Sequence, residues 1–251
     1  MILIAAIRAL IFALWTVFAA ALMVGARLLS FGRPSLWWPW RQWIFRLWAR
    51  GALRMLNVQL TVRGDAPAPP FLLISNHLSY LDIVVFAATV NATFVSKQEV
   101  AHWPFFGPMV RLLGTIFIDR NRRRDVARVN RLIDETLGQG RAVIVFAEGT
   151  SSSGADVLPL RPSLLGPAVG GRYPVRYARL AYATDPGAAD ASVAVCWWGD
   201  ATFLPHAWGL FHVWRTSALV QFGADVVESD NRKDLAATLH DRIRSLPVSP
   251  H

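Results

Sequence analysis

The sequence predicts an α/β fold, a largely parallel sheet with helices on both faces, preceded by an N-terminal membrane-associated helical segment. Three observations carry this: an uncharged apolar run near the start, a tryptophan- and arginine-rich stretch behind it, and apolar runs alternating with helix-like segments from residue 61 onward. A chain of 251 residues has room for one domain and an appendage. With 53% hydrophobic and 17% charged residues it is not a disordered chain. The single cysteine, Cys196, excludes an intrachain disulfide framework and a zinc site built on cysteine pairs, and it favours a reducing compartment.

Residues 9–26 carry no charge and lie between Arg8 and Arg27. As a helix they extend ~27 Å, slightly short of a ~30 Å hydrocarbon core. The run exceeds a signal-peptide core, and no convincing cleavage site follows it. Trp37, Trp38, Trp40, Trp43 and Trp48 come next, crowded as aromatic side chains are at headgroup depth. On a helix from Trp40 to Met55, Arg46, Arg50 and Arg54 form one ridge. Trp40, Ile44, Leu47, Trp48, Gly51 and Met55 fall opposite it, the pattern of a helix lying in the interface. The formal charge of +9 resides almost wholly here: the first 60 residues hold seven arginines and no acid, leaving 19 basic against 17 acidic residues in the remainder. That distribution points to membrane lipids as partner and away from nucleic acid. Six of the arginines follow the apolar run, so the positive-inside rule puts the rest of the chain on the cytoplasmic side of the inner membrane. The division expected is an anchor over 1–60 and a globular domain over 61–251.

The remaining elements follow in order. Asp65 to Pro70 is a Pro-rich connector, Phe71–Ser75 a buried strand, and Tyr80–Thr89 a helix. Thr115–Ile118 reads as a strand, Asp125–Leu137 as a polar-faced helix, and Ala142–Phe146 as a strand that stops at Glu148 and Gly149. Val193–Trp198 and Leu219–Phe222 are further strands, and Asp234–Leu246 is a closing amphipathic helix. In such a sheet, sites form at the carboxyl ends of the strands.

Four familiar signatures are missing: a phosphate loop ending in Gly-Lys, Gly-x-Gly-x-x-Gly, His-Glu-x-x-His and the Gly-x-Ser-x-Gly elbow. Polar residues instead gather at three strand ends. Ser75-Asn76-His77-Leu78-Ser79-Tyr80-Leu81-Asp82 follows the first strand of the domain, Gly114 to Arg120 contains the next, and Val145 to Gly154 closes the third. An imidazole serves as general base when a carboxylate fixes its tautomer. Five residues turn ~140° on a helix at ~100° each, so His77 meets Asp82 only from the turn ahead of the helix. The pair alone also fits a capping histidine; three clusters on one rim argue for a site.

Taken together these blocks resemble the glycerolipid acyltransferase family typified by lysophosphatidic-acid acyltransferases. Asn76 to Asp82 matches its Asn-His-x-x-x-x-Asp block, Phe117 to Arg120 its Phe-Ile-Asp-Arg block, and Phe146 to Ser151 its Phe-Pro-Glu-Gly-Thr-Arg block. The resemblance covers roughly residues 55–225. It implies an enzyme that moves a fatty acyl group from a thioester donor, acyl-carrier protein or coenzyme A, to the hydroxyl of a lysolipid, with no cofactor and no metal. It further implies that His77 and Asp82 are catalytic, and that Asn76, Arg120, Glu148, Gly149, Thr150 and Ser151 bind substrate. Two positions depart from the pattern. Ala147 stands for proline, and Ser151 for the arginine associated with the acceptor's phosphate, whose planar fork a hydroxyl does not replace. With Trp198 to His206, these features are similar to the branch that acylates lyso-ornithine lipid, a phosphorus-free aminolipid, with lysophosphatidate as the alternative acceptor. A tethered lipid-binding protein on the same scaffold is the non-enzymatic alternative, and the presence of both His77 and Asp82 speaks against it. Backbone amides around Gly149 are candidate oxyanion donors. Arg122, Arg123 and Arg124 are candidate contacts for an anionic lipid or an acidic carrier, equally readable as a solvated helix start.

Overall fold

The computed structural model describes residues 2–103, 106–119 and 122–248. Two long helices, α1 (Ile2–Leu29) and α2 (Pro34–Met55), form an N-terminal hairpin. The body then runs β1 (Val58–Arg63), β2 (Leu72–Ser75), α3 (Leu81–Thr89), β3 (Thr93–Lys97), α4 (Phe106–Leu112), β4 (Ile116–Ile118), α5 (Arg123–Gly138) and β5 (Val143–Val145). After a long loop come β6 (Val175–Thr184), α6 (Ala191–Ala194), α7 (Phe203–His212), β7 (Thr216–Phe222) and α8 (Arg232–Ser245).

The seven strands lie in the order β1-β7-β6-β2-β5-β3-β4. Every neighbouring pair is parallel except β6 with β7, so β1 and β7 run against the other five. Residues 72–74 and 143–145 are almost wholly buried, because both faces of these strands are covered. One face packs on α2, α3 and α7 through Leu53, Phe86 and Leu210; the other packs on α5 and α8 through Ile133 and Leu239. Consecutive parallel strands joined by helices put the carboxyl ends of β2, β3, β4 and β5 on one edge.

The structure differs from the sequence reading at several points. Residues 193–198 are not a strand. Asp190 caps the short helix α6 by accepting the Ser192 N–H (2.8 Å), and Trp197 N–H then bonds the Leu78 carbonyl (2.8 Å) in a loop. The sheet position beside β2 is taken instead by β6, the longest strand, whose apolar run is interrupted by Arg176 and Arg179. β1 begins at Val58 and pairs along its length with β7.

The hairpin is also packed more closely than an interfacial helix would be. Ile44, Phe45, Ala49, Ala52 and Leu53 of α2 are buried in the same core as α3. The Trp48–Gly51 face is covered by α1: Trp15 Nε1–H donates to the Trp48 carbonyl (3.0 Å), and a Cβ at Gly51 would overlap the Trp15 indole. In the arginine ridge, Arg46 is half-buried and donates to the Thr89 carbonyl (3.3 Å) at the C-terminus of α3, where the helix dipole favours a cation. Near its start, Arg8 donates to the carbonyls of Met55 (3.0 Å), Phe211 (2.9 Å) and Val213 (2.8 Å). Near its end, Met23 enters the shared core. Thus α1 lies along the body while exposing Leu3, Ile7, Leu10, Leu14 and Phe18 at helical spacing. By length and composition alone, α1 is long and apolar enough to cross a membrane.

Candidate active site

β2 ends at Ser75, and the next four residues form an irregular turn before α3. Asp82, in the first turn of α3, gathers that turn around its fully buried carboxylate. Its Oδ2 accepts the N–H groups of Leu78 (2.6 Å) and Ser79 (3.1 Å) and meets His77 Nδ1 at 2.7 Å. His77 therefore reaches Asp82 from ahead of the helix, the placement that their spacing requires. Tyr182 of β6 donates to the other oxygen, Oδ1 (2.8 Å), and its phenol is held protonated far above the ordinary tyrosine range, first by burial and then by the Asp82 charge. With four donors converging on it, the carboxylate holds the imidazole with its proton on Nδ1. The imidazole Nε2 then presents its lone pair. It makes no hydrogen bond among the described residues, and the His77 side chain is 21% exposed. Phe146 stacks under the ring at 4.2 Å between centroids.

The loop after β5 clasps the same turn. Glu148 accepts the N–H of His77 (3.0 Å) on one carboxylate oxygen and that of Leu158 (2.9 Å) on the other, and Ser152 N–H donates to the His77 carbonyl (2.9 Å). Burial pushes the Glu148 carboxyl up to about 7 against the effect of these two N–H donors, and the nearby Asp82 charge adds to the rise. Asn76 locks β2 to β6, donating to the Leu180 carbonyl (2.8 Å) and accepting its N–H (2.7 Å). Its side chain is thereby committed to the sheet.

The other residues singled out by sequence are placed as follows. Gly149 has φ +76°, and its N–H closes a turn onto the Phe146 carbonyl (3.2 Å). Thr150 is exposed, and the Ser151 hydroxyl donates to the Trp197 carbonyl. Arg120 lies outside the described residues. Arg122 pairs with Asp119 at 3.3 Å, and α5 begins at Arg123. Cys196 is buried in the loop after α6, and burial pushes its thiol up to about 12, which leaves it protonated and a poor nucleophile. His206 bridges the Tyr80 hydroxyl and the Cys196 carbonyl at 3.0 Å each, with burial lowering its basicity.

Three groups escaped the sequence reading. Tyr182 lies a hundred residues from its partner Asp82, so no local pattern signals it. Arg161 is exposed and packs its side chain against Gly149, where an added Cβ would meet Nε at 3.0 Å. Asp190 lines a cavity of about 670 Å³ beside the rim, together with Leu78, Gly154, Tyr182, Cys196 and Trp198. No group of three or more His, Cys, Asp and Glu residues is placed to hold a metal ion among the described residues.

What this arrangement can do is take a proton from a hydroxyl at Nε2 and hold the resulting imidazolium against a buried carboxylate. Comparison with known proteins shows the family. Residues 58–217 match the Acyltransferase family. A 1-acyl-sn-glycerol-3-phosphate acyltransferase from Neisseria gonorrhoeae is 34% identical over 201 residues, covering 78% of each chain. A lyso-ornithine lipid O-acyltransferase from Brucella abortus is 33% identical over 221 residues, covering 82% of each. The crystal structure of a 1-acyl-sn-glycerophosphate acyltransferase from Thermotoga maritima superposes with a TM-score of 0.63 at 20% identity, covering 95% of this chain and 96% of that one, and so shares the fold. By the family match across most of the sheet, and by relatives of this identity and coverage, the chain belongs to the acyltransferase family.

Proposed function

We propose that the protein transfers a fatty acyl group from a thioester to the hydroxyl of a lysolipid at the membrane surface, with lyso-ornithine lipid as the acceptor. The observation that carries the reaction type is the His77–Asp82 contact at 2.7 Å with Nε2 left accessible. As the acceptor oxygen attacks the thioester carbonyl, its proton passes to His77 Nε2. The tetrahedral intermediate collapses with cleavage of the C–S bond, and His77 returns the proton to the departing sulfur. The products are an ester and a free thiol. No enzyme nucleophile is required, in keeping with the protonated Cys196.

The acceptor reading rests on the charges around the rim. A lyso-ornithine headgroup carries a carboxylate and an ammonium. Arg161 beside Gly149 suits the first, and Asp190 in the neighbouring cavity suits the second. The Ser151 hydroxyl is spent on the Trp197 carbonyl and offers no charge to a phosphate. Lysophosphatidate is the second reading, favoured by the exposed Arg161 guanidinium. The donor is an acyl-carrier protein or coenzyme A thioester, presented from the cytoplasmic side of the inner membrane. The α1–α2 hairpin supports an in-plane placement in one leaflet, since both halves of α1 hold contacts with the body that a spanning helix would have to give up.

The test offers lyso-ornithine lipid and lysophosphatidate to the purified protein with one labelled donor. His77→Ala abolishes transfer to either, and Asp190→Asn, which retains the helix cap, raises KM for lyso-ornithine lipid alone. Faster turnover of lysophosphatidate by the wild type would replace the aminolipid reading.

A further inference from the structure

α2 brings a second arginine into the body far from the catalytic rim. Arg41 is 7% exposed, yet among the described residues its guanidinium has no carboxylate partner. Among the described residues its side chain makes one long hydrogen bond, Nη2 to Thr93 Oγ1 at 3.4 Å, and its buried Nε makes none. Gly114, at φ +67°, makes room for it, since a Cβ there would overlap Nη1. Arg141 joins it. The guanidinium carbons of both arginines lie 4.1 Å from the centroid of the Trp38 ring. Burial draws Arg41 down to about 10, the positive charge of Arg141 acts in the same direction, and burial lowers Arg141 as well.

Gathering two cations around one indole, with no ion pair to either among the described residues, is costly in proportion to the desolvation of Arg41; the attraction of each for the ring offsets part of that. Such a pair has a strong affinity for an oxyanion able to take bidentate hydrogen bonds. Its position says which one. Thr93 opens β3, Arg141 precedes β5 and Gly114 precedes β4, so the cluster sits on the sheet edge opposite His77 and Glu148. Around it the hairpin exposes Leu36, Trp40 and Trp43, side chains suited to headgroup depth.

We propose that Trp38, Arg41 and Arg141 form a binding site for the phosphodiester of an anionic phospholipid, separate from the acyl-transfer centre. This rests on the membrane placement of the hairpin given above. An occupied site would fix the tilt of the body, with the catalytic rim at one end and the bound headgroup at the other.

The test is flotation of the full chain with vesicles of phosphatidylcholine alone, or of phosphatidylcholine with phosphatidylglycerol. Arg41 is built into the core, so the variant is Arg141→Lys, which keeps the charge and loses the planar fork. Arg33→Gln removes a charge from the exposed hairpin and controls for general attraction. The expected result is a roughly fivefold weaker binding of Arg141→Lys to anionic vesicles, more than Arg33→Gln loses, with phosphatidylcholine binding and melting temperature unchanged. Wild-type binding of Arg141→Lys to anionic vesicles overturns the site while leaving the membrane reading intact. A wild type that binds neither vesicle overturns both. Stabilisation by inorganic phosphate that Arg141→Lys abolishes, without any vesicle effect, reassigns the site to a soluble phosphate. A loss confined to KM for an acyl-carrier-protein donor reassigns it to that acidic protein.

Discussion

Replacing Asp82 with asparagine separates the charge of the carboxylate from its hydrogen bonds. Oδ2 accepts from Leu78 N–H, Ser79 N–H and the His77 ring, while Oδ1 accepts from Tyr182. An asparagine whose amide oxygen replaces Oδ2 keeps the first three donors, and its NH2 faces the Tyr182 hydroxyl, which rotates to accept. The turn, the tautomer and the accessible Nε2 all survive. What disappears is the attraction between a carboxylate and the imidazolium that forms as the acceptor loses its proton. For charge centres about 4 Å apart at an effective dielectric of about 20, that attraction is ~4 kcal/mol. Lost from the transition state, it lowers kcat by about 10³.

A purely structural Asp82, serving only to cap the turn, would behave differently: asparagine caps about as well as aspartate, so stability and turnover would both hardly change. The assay is the initial rate of labelled ester formation at saturating acceptor, with thermal unfolding followed in parallel. Turnover of Asp82→Asn within tenfold of wild type, at an unchanged melting temperature, would refute the electrostatic argument.

Tyr182→Phe removes one hydrogen bond to a buried carboxylate, worth roughly 1.5 kcal/mol or more, so kcat falls about tenfold at constant KM; a change in KM alone would mean that Tyr182 contacts the acceptor. Glu148, raised from its ordinary 4.5 to about 7 by burial, binds its proton more firmly in the folded than in the unfolded chain. Folding stability therefore decreases as pH rises from about 4.5 to about 7, by ~3 kcal/mol, and levels off above. Urea midpoints of Glu148→Gln lack that slope, and equal slopes in the two proteins would contradict it. Removal of residues 1–56 strips Ile44, Phe45, Ala49 and Leu53 from the core and yields insoluble protein; a soluble truncation melting like the full chain would show the hairpin to be dispensable.

How much was legible in the sequence follows from what local patterns report. The apolar runs of β2 and β5 announce burial on both faces, and the turn between β2 and α3 fixes where His77 must lie to reach Asp82. Neither needs a distant partner to be recognised. Residues 193–198 look equally apolar, but there the capping of α6 by Asp190 and the Trp197–Leu78 bond prevail over strand propensity. β6 carries Arg176 and Arg179 because these partly buried positions meet the loop after β7 and the C-terminal end of α8, where they donate to the carbonyls of Ala224, Arg244 and Leu246. Tyr182 and Arg161 become parts of the site only through sheet order and loop closure, which the spacing along the chain does not encode. For the same reason the α2 pattern was ambiguous: its periodicity shows that one face is apolar, while α1 and the domain core determine what covers it.

That ambiguity bears on how the enzyme meets its substrate. Met23 of α1, Ile44 and Leu53 of α2, Leu78 and Leu81 around the turn that carries His77, and Phe86 of α3 belong to one buried cluster. A close-packed cluster transmits displacement and does not absorb it. The exposed apolar stripe of α1 and the imidazole of His77 are therefore held at a fixed separation, and Arg8 bonds the start of α1 to the ends of α2 and α7. A flexible tether would only raise the local concentration of lysolipid. On the proposed reaction and membrane placement, a hairpin built into the core also sets the depth at which the acceptor hydroxyl meets Nε2. Selectivity at the rim then depends on how far the hydroxyl lies from the headgroup charge, as well as on which charges stand there.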